Sequence, residues 1–301
     1  MLAIVIPYYK YTFFELTLLS LKNQTDRRFK VYIGDDASPE NPSLLLDKYK
    51  NSLNFDYQRF VTNLGSTSLV NHWERCVQMS NHEEWIIILG DDDVLDENCV
   101  ALFYENIEQV DSHKINVIRY STLVINQDGA ELSKVYLHPK LEDSTDFLIR
   151  RFKGYTRSSM SEYVFRKSTM QEIGFKDLPL AWHTDVLAVL EFSKFGLVYT
   201  INEVIVRIRL SGINISSKTD DFILKNKATF AFYSYLLQQY GGQFSKKLLV
   251  LLFDKLEKTI LDNKKEIIYW GKLFYLYIKF LMLIRLMTIP FKVLLYKYKR
   301  L

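Results

Sequence analysis

Cysteine is nearly absent from this chain, with only Cys76 and Cys99 in 301 residues. Neither lies in a metal-ligand spacing or a reactive motif, which excludes a cysteine metal site; both read as buried small apolar side chains in a reducing setting. Glycine-rich phosphate loops are missing as well. Neither G-x-G-x-x-G nor a P-loop occurs, so any bound anion must be neutralised by a metal or by basic side chains. Long apolar runs are missing too: the apolar run Phe280 to Ile284 in the C-terminal segment falls far short of the roughly 20 residues of a spanning helix. No basic segment precedes the apolar run that begins at Leu2, so neither a signal peptide nor a first membrane span is expected, and the chain is expected to start in the cytoplasm. Internal repeats and low-complexity segments do not occur.

What is present is globular in composition, 48% hydrophobic and 25% charged. Leu2 to Ile6 is a short β-branched run stopped by Pro7 and reads as a central strand. Thr12 and Glu15 form a capping box ahead of a helix to about Gln24. Phe29 to Ile33 and Phe55 to Phe60 read as strands, Ser43 to Tyr49 as helix, and a further helix runs to Met79. Trp85 to Leu89 is a strand buried on both faces, followed by helix from Val100 to Val110 and strand from Val117 to Ser121. Later segments give a helix from Asp143 to Phe152, a polar stretch from Gly154 to Ser161, a strand at Tyr163 to Phe165, and an amphipathic helix started by Thr184 or Asp185. Val198 to Ile201 and Val204 to Ile208 look like two strands, and Phe222 to Tyr240 and Phe244 to Leu261 like helices. Strands alternating with helices predict an α/β fold with βαβ units and a mostly parallel sheet.

In such sheets ligands bind beyond the carboxyl ends of the strands. Asp35-Asp36, Asn63-Leu64-Gly65 and Asp91-Asp92-Asp93 all fall on that edge. Three consecutive carboxylates repel one another unless a cation is near, and their oxygens suit Mg²⁺ or Mn²⁺ shared with substrate phosphates. The competing reading of the triplet is a polar turn, with Asp96 or a neighbour capping the helix that begins near Glu97.

Together these motifs resemble the family 2 glycosyltransferases of GT-A fold (Rossmann-like, with a mostly parallel mixed sheet), especially bacterial enzymes of capsule, O-antigen and exopolysaccharide assembly. The resemblance covers roughly residues 1 to 217. Ile4-Val5-Ile6-Pro7-Tyr8-Tyr9 resembles the opening strand and nucleotide loop. Asp35-Asp36-Ala37-Ser38 resembles the Asp-Asp-x-Ser turn, in which an aspartate contacts the nucleoside, Asn63-Leu64-Gly65 the Asn-x-Gly loop, and Asp91-Asp92-Asp93 the DxD-type metal motif. Phe165-Arg166 and Gly174-Phe175 resemble the acceptor-side segment, Thr184-Asp185 stands where the family places its catalytic base, and Arg207-Ile208-Arg209 with Asn214 and Ser216 resembles the closing segment. Two departures stand out. Gly90 occupies the first position of the usual Asp-x-Asp-Asp, which leaves Asp91, Asp92 and Asp93 open as direct metal ligands, with Asp92 first and Asp93 beside it. Arg209 replaces the usual histidine, which suggests a guanidinium on the diphosphate.

The resemblance implies a metal-dependent, inverting transfer of a sugar from a nucleotide-diphosphate donor, UDP by default, to a saccharide or lipid-linked saccharide acceptor in surface polysaccharide synthesis. The donor site would draw on Pro7, Tyr8, Tyr9, Asp35, Asp36, Asn63, Gly65, Asp91, Arg207 and Arg209. Asp185 would take the acceptor proton. Each has an ordinary alternative: an ion pair for the arginines, an Asx turn for Asp35 or Asp36, a helix cap for Asp185, and a structural role or acceptor contact for His183 beside it. Phe13, Tyr8 and Tyr9 are candidates to flank the base ring. The rival reading of the whole is a catalytically silent, nucleotide-sugar-binding scaffold of polysaccharide assembly, and a nucleotidyltransferase lacks the basic glycine-rich loop it requires.

A helical extension over 218–263 and a basic, aromatic tail over 264–301 follow. From Lys264 onward nine Lys or Arg face a single acid, Glu266, a net of +8 that leaves −4 for the body of a chain whose total is +4. Bulky apolar side chains mixed with cations fit an element lying on an anionic leaflet, here the inner face of the plasma membrane. The alternative is a core helix pair with snorkelling lysines. No nucleic-acid motif accompanies the charge.

Overall fold

The computed structural model describes residues 1–212, 214–215 and 221–298. Expected site residue Ser216 and the expected boundary at 217 lie outside them. The chain divides into two compact units, Met1–Asp220 and Asp221–Leu301.

The first unit is built on one mixed sheet. β1 (Leu2–Tyr8) is central because Leu2 to Ile6 are all fully buried, and only a strand covered on both faces can be so uniformly apolar. It pairs in parallel with β2 (Phe29–Asp35) on one side, and β2 pairs in parallel with β3 (Phe55–Arg59), whose half-exposed pattern is that of an edge. On its other side β1 pairs in parallel with β4 (Trp85–Ile88). The short β5 (Val94–Leu95), then β6 (Val117–Ile125), β7 (Leu141–Asp143), β8 (Tyr163–Arg166) and β9 (Leu197–Arg209) complete the sheet. The order is β3-β2-β1-β4-β8-β6-β9-β5, with β7 also on β9. β8 runs antiparallel to β4 and β6, so the parallel half meets a mixed half beside β4.

The helices of this unit are α1 (Phe14–Lys22), α2 (Ser43–Tyr49), α3 (Leu69–Val77), α4 (Cys99–Ser112), α5 (Ser144–Phe152), α6 (Lys167–Ile173) and α7 (Thr184–Phe192). Ser68 and Asp143 cap α3 and α5 by accepting from Asn71 N and Thr145 N. The capping box expected at Thr12 and Glu15 does not form. Instead Phe14 N donates to Tyr11 O and Leu16 N to Phe13 O, so a backbone turn satisfies the first donors and Glu15 is left to pair with Lys48 at 3.6 Å. Helix α4 begins at Cys99, between Glu97 and Val100 where the sequence places its start, and Cys99 N bonds the Asp96 carbonyl.

The two strands expected over 198–208 are one. Between them the register slips, Tyr120 facing Ile201 and Ser121 facing Ile205, and Asn202 at the bulge exchanges hydrogen bonds with both main-chain groups of His138. The bulge bends one long strand where the sequence shows two apolar runs.

The second unit holds α8 (Phe222–Tyr240), α9 (Lys246–Asp262), α10 (Ile267–Lys279) and α11 (Leu283–Tyr298). Leu273, Leu276 and Tyr277 of α10 are fully buried, and Tyr269 stacks on Phe230 at 3.7 Å. Glu257 on α9 accepts from Tyr277, Arg285 and Lys292, so residues of the basic tail share a core with α8 and α9. Among the described residues no helix is long and apolar enough to cross a membrane.

Candidate active site

The carboxyl ends of β1, β2 and β4 deliver their loops to one edge, and carboxylates join those loops. Asp35, fully buried, accepts from Tyr57 Oη at 2.6 Å, Arg59 Nη1 at 2.9 Å and Ser38 N at 2.7 Å. Asp36, also buried, accepts from Leu64 N at 2.7 Å and Gly65 N at 2.8 Å and pairs with Arg75. A Cβ at Gly65 would stand 2.5 Å from Asp36 Oδ2, so glycine is required where the loop closes on the carboxylate. Asn63 Oδ1 accepts from Ser66 N and shapes the same loop. The structure thus brings the Asp-Asp turn and the Asn-x-Gly loop together, with both carboxylates engaged by protein donors.

Pro7 lies within β1 opposite Gly34, and the strand continues to Tyr8 opposite Asp35. Tyr8 is fully buried against Phe14 and donates to the Glu40 carbonyl, whereas Tyr9 is exposed. Phe13 lies under the Arg209 guanidinium at 4.5 Å.

The acidic triplet divides its labour. Asp91 Oδ2 accepts from Tyr9 N at 2.8 Å and Lys10 N at 2.7 Å, tying β4 to the opening loop. Asp93 faces inward: its oxygens accept from Arg209 N at 2.9 Å and Ser161 Oγ at 2.5 Å, and its carbonyl accepts from Thr17. Asp92, in contrast, receives one side-chain donor among the described residues, Asn214 Nδ2 at 3.4 Å. Burial, and then the charge of Asp92, raises Asp91 to about 6 and Asp93 to about 7, and burial raises Asp92 too. Gly90 is also explained here. A Cβ there would lie 2.9 Å from Asp93 Oδ2, so any larger residue would have to displace the Asp93 carboxylate.

This donor set fits a hard divalent cation. It is all oxygen, short of positive charge, and its most available carboxylate is Asp92. Among the described residues no group of three His, Cys, Asp or Glu side chains is placed to hold a metal ion.

The two arginines expected at the diphosphate make different contacts. Arg209 is buried and spends its donors on three carbonyls, Asp92 O at 3.0 Å, Asn126 O at 2.9 Å and Gln127 O at 3.0 Å, which makes it a strut for the acidic loop. Arg207 stands 4.0 Å from Asp96 and lines a separate pocket with Leu16, Leu19 and Glu97.

Asp185 opens α7 and lines a pocket of about 260 Å³ with Trp73, Trp182, Met160, Arg151 and Arg157. Its carboxylate makes no hydrogen bond or ion pair among the described residues, so it does not act as a cap. The chain reaches it through Leu180, Ala181 and His183, all at positive φ between 50° and 72°, a strained approach of the kind that accompanies binding sites. His183 itself is buried, and burial, then the nearby Arg151 charge, drops its imidazole to about 3. Ser161, Arg151 and Arg157 were not singled out by the sequence. The only signal for Ser161 and Arg157 was the polar stretch Gly154 to Ser161, whose 3₁₀ turn at Met160–Glu162 packs Ser161 under Gly90 N at 3.0 Å; Arg151 lies before it, in α5.

Residues 3–165, more than half the chain, match the family described as Glycosyl transferase family 2. A search of curated proteins finds no match. Among solved structures, S. aureus TarS 1-349 in complex with UDP-GlcNAc is similar over 86% of this chain and 80% of that one, at 15% identity and a TM-score of 0.58. The mannosyltransferase PcManGT from Pyrobaculum calidifontis, in complex with GDP-Man and Mn²⁺, is similar over 85% of this chain and 73% of that one, at 11% identity and a TM-score of 0.54. The sheet order, the loops gathered on its carboxyl edge and the extent of the family match lead to one conclusion: this chain belongs to glycosyl transferase family 2 and is a glycosyltransferase of GT-A fold.

Proposed function

We propose that the chain transfers a sugar, with inversion, from a nucleoside-diphosphate donor to a hydroxyl of a saccharide or lipid-linked saccharide. The observation that carries this reading is the unpaired Asp185 carboxylate in a pocket walled by Trp73 and Trp182, aromatic surfaces of the kind that pack on sugar rings. Asp185 takes the proton of the acceptor hydroxyl as its oxygen bonds the anomeric carbon; the bond to the donor's diphosphate breaks on the opposite side, and its electron pair leaves with the diphosphate. Binding of the donor falls to the loops of Tyr9, Ser38 and Asn63 to Gly65, which Asp35, Asp36 and Asp91 hold in place. Asp92, with Asp91 beside it, would hold Mn²⁺ or Mg²⁺, which when bound supplies Lewis-acid stabilisation of the departing diphosphate. UDP is the favoured nucleotide, a choice supported by the TarS complex, although PcManGT carries GDP-Man. Asp185→Asn keeps the shape and removes the base. Transfer from UDP-sugar should fall at least about a hundredfold while UDP affinity stays within twofold; undiminished transfer would overturn the assignment and favour a silent scaffold.

The second unit supports peripheral contact with an anionic membrane surface at the cytoplasmic side. On α10 and α11, Ile268, Ile284 and Phe291 are each at least two-thirds exposed, among lysines that a negative leaflet would attract. A surface polysaccharide pathway using a lipid-linked acceptor fits that arrangement.

A further inference from the structure

Two guanidiniums in the wall of the Asp185 pocket have unmet hydrogen-bonding capacity. Arg151 lies in the last turn of α5, is half-buried, and makes no ion pair or side-chain hydrogen bond among the described residues; its Nε is buried without an acceptor. Arg157 stands 3.6 Å from Glu162, too far for a hydrogen bond, and its Nη1 is likewise buried without one. Buried guanidinium nitrogens without acceptors are costly, and a planar fork matches an oxyanion better than any neutral sugar hydroxyl. Trp73, Trp182 and Met160 supply an apolar surface beside them, and among the described residues Asp185 is the single carboxylate lining the pocket. None of the donor-side groups Tyr9, Asp35, Asp36, Asn63, Gly65, Asp91 or Asp92 lines this pocket.

We propose that Arg151 and Arg157 form an oxyanion subsite for the acceptor, so that the sugar receiving the transfer carries a phosphate or carboxylate near the attacking hydroxyl. This rests on Asp185 marking the acceptor side. The subsite would select anionic acceptors over neutral ones and fix the hydroxyl against the base.

The test is a titration of the full chain, with Mn²⁺ and a saturating nucleoside diphosphate, by inorganic phosphate, glucuronate and, as neutral control, glucose, read by tryptophan fluorescence. Nucleotide affinity is measured separately by calorimetry. Saturable binding of phosphate or glucuronate but not glucose, weakened about tenfold by Arg151→Gln and by Arg157→Gln with nucleotide affinity unchanged, is the expected result. Phosphate binding supported and glucuronate not, or the reverse, assigns the acceptor's anion. Anion affinity indifferent to both substitutions overturns the proposal, as does a parallel loss of nucleotide affinity, which would assign the arginines to the donor's diphosphate. Arg151→Lys and Arg157→Lys, which keep the charge but lose the fork, serve where a glutamine variant does not fold and should weaken anion binding less. Failure of every nucleoside diphosphate to bind the parent chain would instead strike the transferase reading.

Discussion

Gly65 and Gly90 owe their identity to neighbouring carboxylates, since a methyl group at either would enter the space of an Asp36 or Asp93 oxygen. Gly65→Ala should therefore push the loop off Asp36, cost about 1–3 kcal/mol in urea unfolding through the weakened amide hydrogen bonds, and weaken nucleotide binding along with it. A cost within about 0.5 kcal/mol would mean the loop is not held this way. His138 shows the other face of burial. Its Nδ1 accepts from Arg150 at 2.8 Å, and burial, followed by the charges of Arg119 and Arg150, lowers the imidazole to about 2. An unfolded histidine titrates near 6.5, so between about 2 and 6.5 the unfolded chain binds the proton and the folded chain does not. Stability from this group is complete above about pH 6.5 and declines by up to about 1.4 kcal/mol per unit as the pH falls below it. The His138 ring resonances should accordingly show no titration from pH 8 to 5 by NMR; a midpoint near 6.5 would contradict the buried, neutral ring.

Elements were legible in the sequence where burial alone makes them. Fully apolar β1 and β4 and the helix over Ser43–Tyr49 read directly from residue type, because a strand covered on both faces or a short amphipathic helix leaves a local signature. What escaped was non-local. Nothing in Thr12-x-x-Glu15 reveals that the Tyr11 carbonyl will satisfy the helix start, and two apolar runs separated by Asn202-Glu203 do not announce one strand with a bulge sealed by His138. The same holds for the site. The acidic triplet and the Asp-Asp turn stood out as residue types at strand ends, and Asp185 through the family resemblance. In contrast, the spending of Arg209 on three carbonyls and the orphaned nitrogens of Arg151 and Arg157 depend on segments distant in the chain meeting in space, as Arg209 and Asp92 do across 117 residues.

At the scale of the molecule, positive charge and exposed apolar bulk are concentrated in the second unit, whose inner face is closed around Glu257. Burial would raise that carboxyl, but the Lys292, Arg285 and Tyr277 donors hold it below its ordinary value. Truncating the tail would therefore open this core, and surface substitutions are the sharper probe. Ile284→Asp with Phe291→Asp should leave the melting temperature within a few degrees while lowering sedimentation with anionic vesicles several-fold, and neutral vesicles should bind neither form. Unchanged sedimentation would remove the membrane from the account. The central claim, a donor site in the first unit completed by a divalent cation at Asp92, is tested most directly by thermal unfolding with UDP, GDP, dTDP and CDP, each with and without Mn²⁺, on the parent and on Asp92→Asn. A ligand that binds only the folded state raises the melting temperature by mass action, about 2.7 kcal/mol at a hundred times its Kd. The account predicts a rise with UDP that requires Mn²⁺ and is lost in Asp92→Asn; a rise independent of Mn²⁺ and of Asp92, or no rise with any nucleotide, would contradict it.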